Sequence, residues 1–285
     1  MQPGFDIEKY LCHSKKVDVT DLDFSAARSY PLSENEIRCL TYMMDIESHT
    51  IVFLKGILST CALKDPETTA FLSCWAYEEF FHGRTIKRFL ESCGLDFSPT
   101  RAAELQKDAT FREWLEGIGA SFLCQVTRHF HAVYLTWGAI SELTTLEAYG
   151  VLADRTANPI LARLLRRLAK DERRHFSFYY NKARRQLDHR HARQLTSFVL
   201  KKFWLPVGAG VKPDEEVAFI SRVVLGDSAG AIVADRIDST IAKLPGMDWF
   251  DRLRLTREAA LSPANRRGAV ACLDRSAILA DGRAQ

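Results

Sequence analysis

Apolar side chains in the central part of the chain recur every three or four residues, which is the period of an α-helix with one buried face. Four long helices are predicted from this pattern, beginning near residues 33, 66, 120 and 159. Two shorter helices are predicted at about 213–225 and 227–243. The pattern therefore predicts an all-α protein.

Local sequence signals mark several of the helix ends. Ser33 and Glu36 form a capping box at the start of the first helix. Asp65 and Asn158 each stand directly before a proline, which combines a capping side chain with the residue favoured at the first helical position. Gly94 is a natural end for the second helix. These signals fix the register of the helices.

The fourth helix divides most clearly into two faces. Its apolar face carries Glu172 and His175 among leucine side chains. The opposite face is basic and consists of Arg163, Arg166, Arg167, Lys170, Arg173 and Arg174. This basic face fixes the inward direction independently of the acidic residues, so Glu172 and His175 point into the core. We interpret the basic face as solvated rather than as a docking surface for an acidic carrier protein.

Two Glu-x-x-His units stand on the apolar faces of the second and fourth helices, and another inward glutamate precedes each unit at a similar distance. Residues three apart share a helix face, so each unit presents a carboxylate and an imidazole to the same point. The six candidate metal ligands are Glu47, Glu79, His82, Glu142, Glu172 and His175. Such a set on four helices is the ligand set of a ferritin-like dimetal site. The sequence thus predicts a ferritin-like four-helix bundle with additional C-terminal helices.

Other readings of these residues are open. Four carboxylates on apolar faces need neutralisation, because burying unpaired charges costs several kcal/mol. Metal ions would provide it, and a hydrogen-bonded Glu and His network without metal is the alternative. Glu147 lies away from the face of Glu142 and is predicted not to be a ligand. The residues interpreted as structural, packed or solvated are His49, His129, His131, His189, His191, Tyr77, Trp137 and Tyr149.

The domain organisation follows from these elements. Residues 1–32 show no sustained period and are predicted to form an N-terminal extension over the bundle. A helical domain is predicted at 33–260, with the metal-binding bundle at about 33–203 and accessory helices at about 213–260. Residues 261–285 form a C-terminal tail without a site signal.

Composition excludes several classes of function. A formal net charge of +3 is too mild to indicate a nucleic-acid partner, and the chain contains no glycine-rich phosphate loop. We expect no membrane span and a cytoplasmic protein, because no long uncharged apolar stretch or leader pattern occurs. Seven scattered cysteines without a Cys-x-x-Cys pair are expected to be reduced.

The motifs resemble those of the soluble acyl-acyl carrier protein desaturases, especially the shorter bacterial members of this ferritin-like family. Residues 75–83 read Trp-Ala-Tyr-Glu-Glu-Phe-Phe-His-Gly, similar to the family's Trp-x-x-Glu-Glu-x-x-His-Gly segment. A longer similarity runs from Ser141 through Asn158-Pro159 to His175, with the family's spacing between carboxylates. Phe80 and Phe81 depart from the polar residues that the family often has there.

The resemblance implies roles for individual residues. Glu47 and Glu142 would each bind one metal, Glu79 and Glu172 would bridge the two, and each histidine would bind one. Thr145 would lie on the oxygen-binding side and assist oxygen activation or proton delivery. Asp171 would hold a ligand histidine from outside, as such carboxylates commonly do.

The resemblance also implies an activity. It suggests an oxidoreductase that uses O2 and a ferredoxin-type electron donor to desaturate or hydroxylate an apolar acyl substrate, free or on acyl carrier protein. Two iron ions are expected, with Fe/Mn or Mn/Mn pairs as alternatives, and a homodimer is left open. An N-oxygenase or other tailoring oxidase, and a ferroxidase without organic substrate, are the competing hypotheses, because the ligand set does not fix the substrate.

Overall fold

The computed structural model describes residues 5–58, 64–101 and 129–262, and within these ranges the protein is helical with no β-strand. The α-helices are α1 (Ile7–His13), α2 (Glu34–Leu58), α3 (Pro66–Ser92), α4 (Phe130–Arg155), α5 (Pro159–Gln186), α6 (Arg190–Phe203), α7 (Asp214–Leu225), α8 (Ser228–Ile241) and α9 (Arg252–Leu261), and a 3-10 helix covers Phe24–Ser29. The all-α prediction is confirmed for this part of the chain. The predicted helix start near residue 120 and nearly all of the tail lie outside the described residues.

The predicted caps are present at the long helices. The Ser33 backbone N–H donates to Glu36 Oε2 at 2.7 Å, and the Glu36 N–H donates back to Ser33 Oγ at 3.3 Å. The Asp65 side chain accepts a hydrogen bond from the first turn of α3, as the Asn158 side chain does from the first turn of α5. Gly94, at φ 96°, follows the end of α3. The short-range signals therefore place α2, α3 and α5, three of the four helices that carry candidate ligands, correctly.

The long helices form a bundle in which α2 packs along α3 and α4 packs along α5. At Gly83, α2 and α3 approach so closely that an added Cβ would lie 2.8 Å from Ser48 Oγ and 3.3 Å from Glu47 Cβ. Any larger residue would push the helices apart beside Glu47 and His82. Further along, Phe71 of α3 stacks on Phe178 of α5 with ring centroids 3.7 Å apart. These contacts hold α2 against α3 and α3 against α5 at fixed separations.

The N-terminal extension covers part of the basic face of α5. Asp21 accepts hydrogen bonds at 2.6 Å from both Arg163 and Arg167. The His13 backbone carbonyl accepts a hydrogen bond from Arg174. Arg163 stays exposed while it pairs with Asp21, but the expectation of a solvated basic face is wrong at Arg167 and Arg174, whose side chains are half-buried. Nonlocal pairing with the extension replaces water there, whereas Arg166 pairs at the surface with Asp154.

The C-terminal helices α7 and α8 agree with the predicted positions, while α6 and α9 are separate helices within ranges that the sequence pattern does not divide. Among the described residues no single helix is long and apolar enough to cross a membrane. Taken together, α7 and α8 have the necessary length and apolar composition, but the two helices are bent by 101° relative to each other. The four cysteines in the described ranges carry free thiols, as expected: Cys12, Cys39, Cys74 and Cys93.

Candidate metal centre

All six predicted ligands meet in the middle of the bundle. We call Glu47, Glu79, His82, Glu142, Glu172 and His175 the ligand cluster, and all six side chains are buried. Their polar atoms form two groups, in each of which four ligand atoms lie within 4.8 Å of one another. The first group is Glu47, Glu79, His82 and Glu172, and the second is Glu79, Glu142, Glu172 and His175. Each group could hold a metal ion.

Two glutamates belong to both groups. Glu172 directs Oε1 to His82 Nδ1 at 3.0 Å and Oε2 to His175 Nδ1 at 3.3 Å. Glu79 Oε1 lies 3.9 Å from His82 Nδ1 and 3.0 Å from His175 Nδ1. Carboxylates with this placement are able to bridge two ions, which is the role that the resemblance implies for these two residues.

The two histidines turn the same nitrogen inward. Their Nδ1 atoms face the shared carboxylates, while their Nε2 atoms face outer carboxylates. His82 Nε2 lies 3.4 Å from Asp171 Oδ2, the partner implied by the resemblance, and His175 Nε2 lies 2.8 Å from Glu78 Oε2. An outer carboxylate of this kind fixes the tautomer and orientation of a ligand imidazole.

The role of Glu78 was missed at the sequence level, although a signal was present. Both Glu-x-x-His units are directly preceded by an acid, Glu78 in one and Asp171 in the other. Each of these acids contacts the histidine of the opposite unit, so the pattern is a crossed pair. Asp171 is assigned as the outer partner of a histidine because of its position directly before a Glu-x-x-His unit. Glu78 has the same position before the first unit, so the same reasoning identifies it.

Glu78 also connects the ligand cluster to the N-terminal extension. Its carboxylate accepts hydrogen bonds from the Tyr10 hydroxyl at 2.7 Å and from the Lys15 backbone N–H at 3.2 Å. Arg174 Nη2 lies 2.8 Å from Glu78 Oε1 and 2.7 Å from Asp171 Oδ1, so one guanidinium holds both outer acids. The extension is thus part of the support of the site.

Glu47 and Glu142 each belong to only one of the two groups. Each of them accepts a hydrogen bond from an aromatic side chain. The Tyr149 hydroxyl donates to Glu47 Oε1, and Trp75 Nε1 donates to Glu142 Oε1 at 3.1 Å. Tyr149 is packed in the core, as interpreted from the sequence, and in addition supplies a hydrogen bond to a candidate ligand. Nothing in the sequence pattern distinguishes a tyrosine that reaches a ligand from one that fills the core.

The chemistry of the ligand cluster fits a metal. Three of its atoms, Glu79 Oε1, His82 Nδ1 and Glu172 Oε1, are buried and lack a hydrogen-bond partner among the described residues. Buried polar atoms in native proteins are nearly always satisfied, and unsatisfied ones call for an explanation such as a bound ion. All three belong to residues of the first group, and His82 Nδ1 lies 3.9 Å from Glu79 Oε1 and 3.0 Å from Glu172 Oε1, so one ion could satisfy them together.

The electrostatics of the ligand cluster favour added positive charge. Burial and the neighbouring carboxylates raise the pKa of Glu47 and Glu79, and burial raises the pKa of Glu142 to about 8. Burial also opposes the charged forms of Glu172 and His82. The approach of His175 and His82 outweighs burial and lowers the pKa of Glu172, and the approach of Asp171 and Glu172 outweighs burial and raises the pKa of His82. Protons therefore supply the positive charge that metal ions would otherwise supply.

The remaining predicted residues lie outside the ligand cluster. Thr145 follows Glu142 by one turn and is half-buried, and no described hydrogen bond joins it to the ligands. Glu147 pairs with Arg236 at 2.9 Å, which agrees with the prediction that it is not a ligand. Of the other histidines, His129 lies with its ring 6.2 Å from that of His189 and 5.8 Å from that of His191, so these three are neighbours at the end of the bundle.

Comparison of the chain with models of known protein families, with curated proteins and with solved structures found no match. The desaturase resemblance therefore stays a prediction that rests on the motifs. What the geometry adds is independent of that resemblance: two overlapping groups of buried carboxylates and imidazoles on four packed helices.

Proposed function

We propose that the protein is a ferritin-like dimetal oxidoreductase that uses O2 and an external reductant to desaturate or hydroxylate an apolar acyl-type substrate. The ligand cluster would hold two iron ions for this reaction. The observation that carries the proposal is the sharing of Glu79 and Glu172 between the two ligand groups. A single-ion site or a structural network would not need two overlapping groups with two common carboxylates.

The donor set supports this choice of metal. Carboxylate oxygens suit hard ions such as manganese, and imidazole extends the range to iron. Four carboxylates balance the charge of two divalent ions, which makes the occupied site electrically neutral. When bound, iron ions would supply the redox chemistry that amino-acid side chains lack.

The residues of the chain would bind, orient and shield the centre. Glu79 and Glu172 would hold both ions at one separation, while Glu78 and Asp171 would keep the histidine Nδ1 atoms directed inward. Phe71 lies with its ring 6.2 Å from that of His175 and contributes to an aromatic wall on one side of the ligand cluster. Such a wall excludes water from an oxidising centre.

The substrate class rests on the motif resemblance. Oxidation of an acyl substrate would require an electron donor of the ferredoxin type. If the acyl group is attached to a carrier, acyl carrier protein would be a second partner. Three arginines of the basic face of α5 already bind the N-terminal extension, so we do not assign that face to a carrier: Arg163, Arg167 and Arg174.

Metal analysis and product analysis test the proposal in sequence. Protein loaded anaerobically with Fe²⁺ should retain two ions per chain, and at most trace iron would contradict the dimetal site. Loaded protein supplied with O2, a reductant and a panel of acyl thioesters should then yield unsaturated or hydroxylated products. An oxidised amine instead would favour a tailoring oxidase, and iron oxidation without any organic product would favour a ferroxidase.

A further inference from the structure

An open cleft lies between the N-terminal extension and α5. Side chains from residues 5–21 form one wall, and side chains from residues 167–181 form the other. The cleft has a volume of about 880 Å³, which is within the size range of small-molecule sites. Tyr10, Asp171 and Arg174 border it, so it adjoins the residues that support the ligand cluster. We call it the basic cleft.

Four aspartates border the basic cleft, and each already accepts hydrogen bonds from within the chain. They are Asp6, Asp18, Asp21 and Asp171. Asp6 and Asp18 accept from groups close to them in the sequence, at 3.0 Å and 2.8 Å. Asp21 and Asp171 pair with arginines instead. The negative charges of the cleft are therefore engaged by partners other than its lysine side chains.

Positive charge exceeds negative charge around the basic cleft. The described residues that border it include six lysines and arginines beside the four aspartates, a surplus of two positive charges. Four of the six are lysines that have no carboxylate within 4.0 Å among the described residues: Lys9, Lys15, Lys16 and Lys170. Lys170 stands on α5 and the other three stand on the extension. An anion in the cleft would therefore meet positive charge from both walls.

We propose that the basic cleft binds a small phosphate-bearing molecule between the lysines of the extension and Lys170. The proposal goes beyond the proposed function and needs no metal, since no member of the ligand cluster is among the described residues that border the cleft. Lysine binds phosphate as a compact point charge. A phosphate group carries about two negative charges at neutral pH, whereas a carboxylate carries one. Phosphate therefore matches the surplus charge of the cleft better than a carboxylate does.

The shape of the basic cleft favours a small molecule over a polynucleotide. Its lysines stand on two walls, so they converge on a ligand that enters between them. The formal net charge of the chain, +3, is too mild for a nucleic-acid surface. Phe5 and Val17 border the same cleft and would contact an organic group attached to the phosphate.

A ligand in this position would fasten the extension to α5. The Tyr10 hydroxyl and the Lys15 backbone N–H of the extension donate to Glu78, which in turn contacts His175. A ligand that contacts both walls binds only while the extension is in place, so mass action stabilises the docked extension. Occupancy of the basic cleft would thereby stabilise the support of the ligand cluster.

Isothermal titration calorimetry with inorganic pyrophosphate tests the site. The full chain is titrated both as purified and after removal of metal, in about 0.15 M salt, which screens attraction between exposed charges. Both forms should bind one pyrophosphate per chain. The double variant Lys15→Gln with Lys170→Gln removes one ammonium group from each wall. It should bind at least about tenfold more weakly, because charge-assisted contacts to phosphate are lost.

A matched control is the double variant Lys202→Gln with Lys243→Gln. Both lysines are exposed and lie outside the basic cleft, and their replacement changes the net charge by the same amount. This variant should keep the wild-type affinity. Circular dichroism of both double variants shows whether they are folded.

Digestion with chymotrypsin tests whether the ligand joins the two walls. This protease does not cleave at lysine, so the variants keep every cleavage site. Saturating pyrophosphate should slow cleavage of the extension about fivefold in wild type and in the control, because the ligand binds only the docked extension. The effect should be smaller in the cleft variant at the same concentration.

Adenosine diphosphate distinguishes the two sources of such a ligand, because it joins a pyrophosphate group to a nucleoside. Tighter binding than that of pyrophosphate would assign an organic phosphate, with its organic group against Phe5 and Val17. Equal or weaker binding would assign an inorganic phosphate compound.

Several results would overturn the proposal. Wild-type protein that binds neither probe, or that binds only while it contains metal, would show that the basic cleft is not the site. Equal affinities of the two double variants would reduce the effect to net charge. Binding that leaves the cleavage rate unchanged would show that the ligand does not lie between the walls. None of these results alters iron stoichiometry or oxidation products, so failure here is distinct from failure of the proposed function.

Discussion

His175 Nε2 lies 2.8 Å from Glu78 Oε2, and both side chains are fully buried. Burial would raise the pKa of Glu78, but His175, Tyr10 and Arg174 outweigh it and lower that pKa to about 2. Glu78 is therefore anionic throughout the neutral range and accepts the outer N–H of the imidazole. The inward nitrogen of His175 is thereby left as an acceptor for a metal.

Replacing Glu78 by alanine should weaken metal binding by about 10- to 100-fold, because His175 loses the partner that fixes its orientation. Competition with a chelator of known affinity measures the change. Glu91→Ala is a matched control on the same helix, since Glu91 is exposed and pairs only weakly with Lys87 at 3.6 Å. Equal metal affinity in the Glu78 variant and the control would contradict this role.

Tyr10→Phe should loosen the N-terminal extension while leaving the ligand cluster itself intact. The lost hydrogen bond to Glu78 is worth about 1.5–3 kcal/mol, because its acceptor is charged. Limited proteolysis should cut the extension faster in this variant than in wild type. Tyr30→Phe, which changes an exposed tyrosine of the same extension, should be cut at the wild-type rate. Equal cleavage of both variants would show that Tyr10 does not anchor the extension.

A buried carboxylate close to Glu47 in the sequence joins distant parts of the chain. Asp45 is 1% exposed and binds Arg101 through two 2.7 Å hydrogen bonds and Lys212 through another. Asp45→Asn would remove the buried anion that both cations contact and should lower the free energy of unfolding by about 3 kcal/mol. Denaturant titration measures this loss. Asp154→Asn, at an exposed ion pair with Arg166, should change stability by less than about 1 kcal/mol.

The ligand cluster could be predicted because each ligand obeys a local rule. His175 follows Glu172 by three residues on a face that the basic residues of the same helix define from the other side. Capping signals at Asp65 and Asn158 then fixed where the helices begin. Helical period and helix ends together determine which side chains point inward, so a single sequence was enough.

The support of the ligand cluster could not be predicted, because it depends on contacts between distant segments. Tyr10 reaches Glu78 across 68 residues of sequence, and Tyr149 reaches Glu47 across 102. No periodic pattern marks such a donor, and an extension without helical period gives no sign of where it packs. The acid before each Glu-x-x-His unit was the one visible trace of this outer layer.

The carboxylates should differ in their effect on metal stoichiometry. Glu172→Ala removes an oxygen from both groups and should nearly abolish binding, whereas Glu142→Ala should chiefly weaken the second group. Glu147→Ala should retain both ions, since Glu147 pairs with Arg236. Iron analysis of the three loaded variants measures the difference. Loss of an ion in the Glu147 variant, with both retained in the Glu142 variant, would show that the assigned ligand of α4 is wrong.

The metal-free protein should lose stability as pH rises from about 4.5 to about 8. Burial raises the folded-state pKa of Glu142 to about 8 from an ordinary value of 4.5, so over this interval the folded state holds a proton that the unfolded state has released. The raised pKa of His175 acts in the same direction, because its carboxylate partners outweigh burial and its stabilising contribution is lost as pH rises.

Thermal unfolding of the metal-free protein at several pH values measures this loss. The Tm should fall by at least about 2 °C across the interval. Glu142→Gln, which carries a neutral side chain of the same shape, should reduce the slope. Bound metal replaces the protons, so the gain in Tm on loading should grow with pH. A metal-free Tm that rises steadily between about pH 5 and pH 8 would contradict the protonated state of the ligand cluster.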